Sequence, residues 1–355
     1  MNVIKENIRK LVNGSDLTYE ESTASMKEIM SGEATNAQIG AFLTALRVKG
    51  ETSEEITAFT AVMKECCHRI HPHVKGRLVD TCGTGGDKIK TFNISTTAAF
   101  VVAGADIAVA KHGNRSVTSK CGSADVLERL GLNLSISPEA VEEAIEKVGV
   151  GFMFAPAFHP AMKYAVGPRR EVGIRTVFNV LGPLTNPADA NAQLLGVYDP
   201  KLTEPLAYSL KSLGCEEAMI VHGLEGLDEI STIGKTRISW LRGGKVTTRE
   251  MAPKDFGVKQ AKIEDIKGTT PEESAAITFK ILYGCVDADY PKREIVQVNG
   301  AAAVIAAGKA EDFGYGIELA HESIESGAAY RKFKDLIKCS RGDLSKLEQL
   351  EKEHA

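Results

Sequence analysis

Apolar residues recur every three to four positions through roughly the first 70 residues, which is the spacing of one face of a helix. Thr18, Thr35 and Ser53 each precede such a stretch and are suitable N-cap residues. Glu21 and Gln38 follow the first two by three residues, the spacing of a capping box. The pattern therefore predicts four short helices that form a small all-α unit.

The pattern changes at about residue 77, where short apolar runs begin to alternate with helical stretches. The apolar runs predict buried strands at 78–79, 107–110, 150–154, 194–198, 218–221 and 295–298. The stretches between most of them predict helices at 95–104, 123–130, 138–148, 202–213, 271–283 and 299–308. Strands that alternate with helices form mainly parallel sheets. The segment 237–250, with Gly243 and Gly244 in its middle, predicts a hairpin instead.

Together the two patterns predict an α/β protein. It has a small N-terminal all-α domain and a larger α/β domain with a mainly parallel central sheet covered by helices. A His-Pro-His segment at 71–73 interrupts the helical pattern between them. We expect a helical domain at 1–73, an α/β domain at 74–345 and a polar tail at 346–355.

Composition narrows the functional classes. The 355 residues include 43 Lys and Arg and 47 Asp and Glu, so the net charge is −4 and broad attraction to nucleic acid is not expected. No apolar run reaches the ~18 residues of a membrane span. The first residues predict an amphipathic helix rather than a signal peptide. The seven cysteines lack zinc-ligand spacing, so we expect reduced thiols in a cytoplasmic protein with no membrane partner.

A glycine-rich segment follows the first predicted strand. Gly83, Gly85 and Gly86 stand within four residues, and an apolar helix begins near 93–96. Glycines let the backbone approach a ligand closely, and a helix N-terminus favours an anion. The segment therefore predicts a phosphate-binding loop, although a tight strand–helix turn without a ligand would have the same spacing. It matches neither a Walker A loop nor G-x-G-x-x-G.

A second polar loop, 111–123, follows the next predicted strand. It contains three cations, four hydroxyl-bearing residues and two glycines. Ligands of open α/β sheets bind at the carboxyl ends of the strands. Taken alone, the segment could be a solvated basic loop. Two such loops at successive strand ends indicate a ligand with more than one phosphate.

Adjacent carboxylates, Asp228 and Glu229, follow the predicted strand at 218–221. Mg²⁺ is usually held by one or two carboxylates together with ligand phosphates. In isolation the pair reads as an ordinary acidic turn. Beside two phosphate-type loops in one sheet, it favours a magnesium site.

Three arginines, Arg169, Arg170 and Arg175, lie among apolar and aromatic residues in the stretch 154–184. A guanidinium in such surroundings can bind a small aromatic carboxylate through two hydrogen bonds. The alternative for each is a structural arginine that pairs across domains. His159 could line a pocket or cap a helix ahead of Pro160.

Several of these segments, taken in order, resemble the anthranilate phosphoribosyltransferase family. They are GTGGD at 83–87, TFNIST at 91–96, KHGNR at 111–115, HPAM at 159–162, RR at 169–170, NVLGPLTNP at 179–187 and GLDE at 226–229. The first segment alone is only moderately specific, whereas the ordered set is highly specific. The resemblance runs from about residue 1 to 340.

The resemblance implies a helical domain and an α/β domain, usually in a homodimer that forms through the helical domains. It also implies that helices at about 160–185 fold back onto the helical domain, which extends the expected domain 1–73 by that segment.

The resemblance implies transfer of the phosphoribosyl group of 5-phosphoribosyl 1-diphosphate (PRPP) to the amine of anthranilate, in tryptophan biosynthesis. The cofactor is Mg²⁺, with two ions per monomer. The positions that match PRPP contacts are Gly83, Gly86, Asp87, Thr91, Asn93, Ile94, Ser95, Thr96, Lys111, His112, Gly113, Asn114, Arg115, Ser116, Val117, Thr118, Ser119 and Ser123. Metal positions match Ser95, Asp228 and Glu229, and anthranilate positions match Gly83, Asn114 and Arg169. His112 and His159 are expected near the access route, and no residue is assigned as a general base.

Two other functions are compatible with this architecture. A pyrimidine nucleoside phosphorylase shares it, but its glycine loop and base-reading residues differ from those of this chain. A non-catalytic nucleic-acid-binding paralogue should be basic and should lack some motif residues, whereas this chain is net acidic and keeps them.

Overall fold

The computed structural model describes residues 3–116, 121–268 and 270–354. Four helices come first: α1 Val3–Val12, α2 Tyr19–Ser31, α3 Asn36–Lys49 and α4 Ser53–Glu65. The capping boxes predicted at Thr18 and Thr35 are confirmed. The prediction of Ser53 as an N-cap is wrong by one residue, because the side chain of Thr52 accepts the backbone N–H of Glu55. Adjacent hydroxyl residues made both positions suitable.

In the described part of the chain, seven strands form one sheet in the order β3-β2-β1-β4-β5-β6-β7. They are β1 Val79–Gly83, β2 Val109–Gly113, β3 Val150–Phe154, β4 Ala192–Gly196, β5 Glu217–Gly223, β6 Thr236–Arg242 and β7 Lys245–Met251. The first five pair in parallel, and β6 and β7 form the predicted antiparallel hairpin. The predicted fold class is confirmed.

The remaining helices alternate with these strands or cover the sheet. They are α5 Ile94–Gly104, α6 Ser123–Arg129, α7 Pro138–Val148, α8 Ala155–Phe158, α9 Lys163–Val172, α10 Phe178–Leu184, α11 Thr203–Ser212, α12 Ile263–Ile266, α13 Pro271–Tyr283, α14 Pro291–Ala306, α15 Phe313–Glu325, α16 Ala328–Cys339 and α17 Ser345–His354. Short 3₁₀ turns cover 160–162, 200–202 and 253–256.

The strand predicted at 295–298 is wrong, because these residues lie inside α14. Both β1 and β4 have α14 packed against them, and every residue from Ile295 to Ala306 is buried. A helix that is buried all round carries an unbroken apolar run. A short run of this kind does not distinguish a buried helix from a buried strand.

Helices from the middle of the chain pack against the N-terminal four. Helix α9 lies against α2 and α3, and α10 lies against α4. This packing agrees with the segment expected to fold back at about 160–185. The full division into 1–73 with 160–185, 74–345 and 346–355 stays a prediction. Among the described helices, none is both long enough and apolar enough to cross a membrane.

Candidate active site

The predicted glycine loop and the predicted acidic turn lie in direct contact at the carboxyl ends of β1 and β5. The backbone N–H of Gly85 donates a hydrogen bond to Asp228 Oδ2 at 2.8 Å. The backbone N–H of Ser95, in the first turn of α5, donates to Glu229 Oε1 at 3.1 Å. The parallel pairing of β1, β4 and β5 brings these segments to the same edge of the sheet. The site is therefore assembled from segments far apart in the chain.

Close packing explains two of the three glycines of this loop. A Cβ on Gly83 would lie 2.8 Å from Asp228 Oδ2, and one on Gly86 would lie 2.4 Å from Arg175 Nη2. Gly86 also has a φ of +87°, in the left-handed region that favours glycine. The loop is thus fitted against two functional side chains, which a simple turn would not require.

Replacing Gly86 by valine is expected to raise the KM for PRPP by about tenfold or more, because the side chain strains the loop and displaces Arg175. Steady-state kinetics with varied PRPP measure this. Gly214→Val is the matched control, because Gly214 has the same φ of +87° and a Cβ there would meet nothing within 4 Å. Equal kinetics in the two variants would show that the glycine loop is only a turn.

The residues that lead from the glycine loop into α5 are held by hydrogen bonds. Asp87 Oδ2 accepts hydrogen bonds from the backbone N–H of Thr91 at 2.9 Å and from its hydroxyl at 3.0 Å. Asn93 occupies the N-cap position without a side-chain cap. Glu229 instead accepts the N–H of Ser95 in the first helical turn. The positive end of the helix dipole thus faces the acidic turn.

Asp228 and Glu229 are both buried. Burial, with Asp87 nearby, raises the pKa of Asp228 to about 6. Burial and then the Asp228 charge raise the pKa of Glu229. The turn is fixed from behind by Asn299 of α14, whose Oδ1 accepts the N–H of Ile230 at 2.9 Å. A bound divalent ion would stabilise the ionised forms of these two buried carboxylates.

These residues fit Mg²⁺ as a partial ligand set. Across the described ranges, no group of three or more His, Cys, Asp or Glu side chains converges as a metal site. Mg²⁺ commonly takes only one or two carboxylates and completes its shell with ligand oxygens and water. The hydroxyl of Ser95, at the start of α5, is the further protein oxygen that the family resemblance indicates.

Lys111 lies on β2 beneath the same strand ends. Its side chain is 3% exposed, and its Nζ donates a hydrogen bond to the carbonyl oxygen of Thr81 at 2.5 Å. Burial lowers the pKa of Lys111, and the carboxylate of Asp80 is the largest opposing influence. A buried ammonium with a single hydrogen bond to described residues retains donors for an anionic ligand.

The structure separates the loop after β2 into two parts. Ser123 packs on Gly113, and its hydroxyl donates to the carbonyl of Asn114 at 3.3 Å. These three residues therefore lie together at the carboxyl end of β2. The guanidinium of Arg115 forms ion pairs with two residues of α6, Asp125 at 3.0 Å and Glu128 at 2.8 Å.

The side chain of Arg115 therefore anchors the loop to α6, and its assignment as a PRPP contact stays a prediction. The backbone N–H of Ser116 donates to Asp125 Oδ2 at 3.2 Å. The predicted contacts Val117, Thr118 and Ser119 lie outside the described residues.

His112 and His159 form a buried pair with ring centroids 5.0 Å apart. His112 Nδ1 hydrogen-bonds with the carbonyl of Gly182 at 3.2 Å. The Nε2 atoms of both rings are buried without a partner in the described parts of the chain. Burial lowers the pKa of His112 to about 3 and that of His159 to about 4. Both rings are therefore neutral at pH 7, and their expected place near an access route stays a prediction.

The depressed pKa of His159 predicts a loss of stability in mild acid. Its pKa falls from 6.5 to about 4 on folding. Its contribution to the free energy of unfolding is therefore fully present above pH 6.5 and is lost as the pH falls towards 4. Between pH 7 and 5 the loss is roughly 1–2 kcal/mol of unfolding free energy. His159→Gln should therefore show a smaller drop over that range by denaturant unfolding. The exposed His73, changed to Gln, serves as the control, and equal slopes for wild type and His159→Gln would contradict the prediction.

The structure gives the three candidate arginines different places. Arg169 is half-buried with its guanidinium 5.1 Å from the ring centroid of Phe178, and no carboxylate within the described residues pairs with it. Burial lowers its pKa. Arg170 is exposed. Arg169 is therefore the one of the pair that is suited to bind a carboxylate from a ligand.

Arg175 supports the glycine loop, a role that the sequence did not assign. Its guanidinium lies 4.4 Å from the ring centroid of Tyr198, and Nη2 donates to the carbonyl of Gly86 at 3.1 Å. Tyr198 follows β4, so only the fold brings it beside Arg175. A basic residue among apolar neighbours was the available sequence signal, and it did not distinguish these arginines.

Comparison with known proteins agrees with this arrangement. The helical bundle domain of a glycosyl transferase family matches residues 5–67, and its a/b domain matches residues 75–330. An anthranilate phosphoribosyltransferase of Desulfosudis oleivorans is 52% identical over 341 residues, or 96% of this chain and 100% of that protein. Another, from Symbiobacterium thermophilum, is 53% identical over 328 residues, or 92% and 95%.

Solved structures show the same likeness. The anthranilate phosphoribosyltransferase of Thermus thermophilus superimposes with a TM-score of 0.88 at 40% identity, covering 96% of this chain and 100% of that one. The Saccharomyces cerevisiae enzyme, in complex with PRPP and Mg, superimposes with a TM-score of 0.86 at 29% identity, covering 95% and 98%. Because sequence identity and fold agree over nearly the whole chain, the chain belongs to the anthranilate phosphoribosyltransferase family.

Proposed function

We propose that this chain transfers the phosphoribosyl group of PRPP to the amine of anthranilate in L-tryptophan biosynthesis, giving N-(5-phosphoribosyl)anthranilate and diphosphate. One observation carries the proposal above the others. A glycine loop, the N-terminus of α5 and two buried carboxylates meet at one edge of the sheet. That arrangement suits a ligand with several phosphates and a divalent ion. Relatives about half identical over nearly the whole chain carry the same name.

The PRPP site in this proposal is the edge formed by β1, β2 and α5. In this proposal, phosphate oxygens bind backbone N–H groups of the glycine loop and of the first turn of α5 other than those that donate to Asp228 and Glu229. Lys111 supplies a buried positive charge. Two Mg²⁺ ions per monomer would be held by Ser95, Asp228 and Glu229 together with PRPP oxygens. When bound, they would neutralise charge on the diphosphate.

The chemistry is a displacement at the anomeric carbon of PRPP. The bond from this carbon to the diphosphate oxygen breaks, a bond to the anthranilate nitrogen forms, and the nitrogen loses one proton to solvent. Negative charge grows on the departing oxygens, where Lys111 and the loop N–H groups stabilise it. The aromatic amine is neutral and therefore needs positioning more than deprotonation. No residue of this chain is required as a general base.

Anthranilate binding in this proposal depends on Arg169, together with Gly83 and Asn114, which the family resemblance also matches to anthranilate contacts. The half-buried guanidinium lacks a carboxylate partner in the described structure, so a ligand carboxylate would complete it. Closure of the helical domain on the α/β domain would bring the amine to the ribose and exclude water.

The proposal is tested by the fluorescence of anthranilate. Adding PRPP and Mg²⁺ to the purified protein should remove this fluorescence, and leaving out any one component should preserve it. Thymidine or uridine with inorganic phosphate tests the nucleoside phosphorylase alternative in parallel. Release of free base without consumption of anthranilate would replace the proposal with that activity.

A homodimer formed through the helical domain and a cytoplasmic location complete the proposal. Val12 at the end of α1 and Val48 near the end of α3 are 70% and 82% exposed, which suits a covered surface. The seven cysteines are all free thiols, which suits a reducing compartment.

A further inference from the structure

Asp80 is a buried carboxylate on β1 that has no part in the reaction described above. It is 0% exposed. Its Oδ1 accepts the backbone N–H of His112 at 3.3 Å, and its Oδ2 accepts Asn186 Nδ2 at 2.8 Å. Gln193 Nε2 approaches the same oxygen at 3.5 Å. These donors hold the carboxylate in one orientation, and they offset part of the free-energy cost of burying it.

The side chains that hold Asp80 are themselves fixed. Asn186, from the conspicuous segment 179–187, also donates to the carbonyl of Ala110 at 2.8 Å. Its Oδ1 accepts the N–H of Ala188 at 2.9 Å. Gln193 Nε2 donates to the carbonyl of Pro183 at 2.7 Å. The segment 179–187 therefore fixes the Asp80 carboxylate through Asn186, and it also contacts His112 through the carbonyl of Gly182.

The neighbour that this carboxylate serves is Lys111. Asp80 holds the peptide N–H that follows Lys111, and Thr81, the next residue of β1, accepts the Lys111 ammonium through its carbonyl. The hydroxyl of Thr81 donates in turn to the carbonyl of Ser95 at 2.9 Å. Two consecutive residues of β1 therefore fix both the backbone and the side-chain end of the buried lysine.

We propose that Asp80 is a positioning residue for PRPP binding, which acts through Lys111 by fixing its backbone and balancing its charge. The inference rests on the proposed function, because it assumes that Lys111 meets the PRPP phosphates. Burial lowers the pKa of Lys111, and the charge of Asp80 opposes this most strongly, ahead of the charge of Glu229. Asp80 supplies compensating charge without accepting a hydrogen bond from the Lys111 ammonium, so the remaining N–H donors of the ammonium can bind the ligand.

The test is Asp80→Asn, in which one carboxylate oxygen becomes an amide that faces hydrogen-bond donors. We expect the Kd for PRPP with Mg²⁺, measured by calorimetry, to rise about tenfold or more. The KM for anthranilate should stay within about twofold, because Arg169 is untouched. Glu55→Gln is the matched control, since Glu55 is also 0% exposed and hydrogen-bonded but lies in the helical bundle. It should lower the melting temperature and leave PRPP binding unchanged.

Combining Asp80→Asn with Lys111→Met separates positioning from a structural role. If Asp80 acts through Lys111, its replacement should change PRPP affinity by less than about twofold once the ammonium is gone. Asn186→Ala keeps the charges of Asp80 and Lys111, so it should raise the Kd for PRPP by a smaller factor than Asp80→Asn does. Equal losses from Asp80→Asn with and without Lys111, or unchanged affinity in Asp80→Asn and Asn186→Ala, would overturn the inference. A wild-type protein that fails to bind PRPP would instead overturn the proposed function.

Discussion

Replacing Asp228 by Asn together with Glu229 by Gln is expected to lower kcat by roughly a thousandfold or more at limiting Mg²⁺. The two side chains are the buried carboxylates proposed to hold the metal, and the amides carry no charge to attract it. Metal stabilisation of developing charge is worth several kcal/mol, and each ~1.4 kcal/mol is a factor of ten in rate. Initial rates across a Mg²⁺ titration measure the effect.

The same variant should be at least as stable as the wild type in metal-free buffer. The pKa of Asp228 is raised to about 6 in the folded state, so its ionised form opposes folding above that pH. At about pH 8 the amide should recover roughly 2–3 kcal/mol of unfolding free energy. Asp287→Asn with Asp289→Asn removes the same charge from an exposed turn and should change neither property. Near wild-type activity of the double amide at limiting Mg²⁺ would defeat the metal assignment.

Arg169→Ala is expected to lower kcat/KM for anthranilate by at least about thirtyfold. Truncating one member of a desolvated, charge-assisted pair costs about 2–5 kcal/mol, and each ~1.4 kcal/mol is tenfold. Binding of PRPP with Mg²⁺, measured by calorimetry, should change little because its phosphates meet other loops.

The neighbouring exposed residue provides the control for this prediction, since Arg170→Ala changes the same charge one position along α9. A purely structural Arg169 would give a lower melting temperature and would weaken both substrates together. Collapse of PRPP binding, with anthranilate kinetics at saturation intact, would show that Arg169 serves the other substrate.

The local parts of the fold could be predicted from the sequence. The capping boxes at Thr18 and Thr35 were correct because they depend on residues three positions apart. The placement of the glycine loop and the acidic turn after strands also followed from local patterns. The strand predicted at 295–298 failed because burial on all sides of α14 removes the polar face that identifies a helix.

The contacts between distant parts of the chain could not be predicted from local sequence patterns. Gly85 and Asp228 are 143 positions apart, and their hydrogen bond follows from strand order, which no motif specifies. Arg115 was placed with the phosphate contacts by resemblance, yet acidic residues of α6 take its guanidinium. Arg175 could be assigned to the glycine loop only once the fold had brought it beside Gly86.

The central claim is that the phosphoribosyl group passes to anthranilate and not to water. Phosphorus NMR of a reaction with wild-type protein, Mg²⁺, PRPP and anthranilate tests it most directly. We expect one diphosphate to appear for each PRPP consumed, with a matching loss of anthranilate, and no consumption of PRPP when anthranilate is left out. Equal release of diphosphate with and without anthranilate, or persistence of PRPP in the complete mixture, would contradict the account.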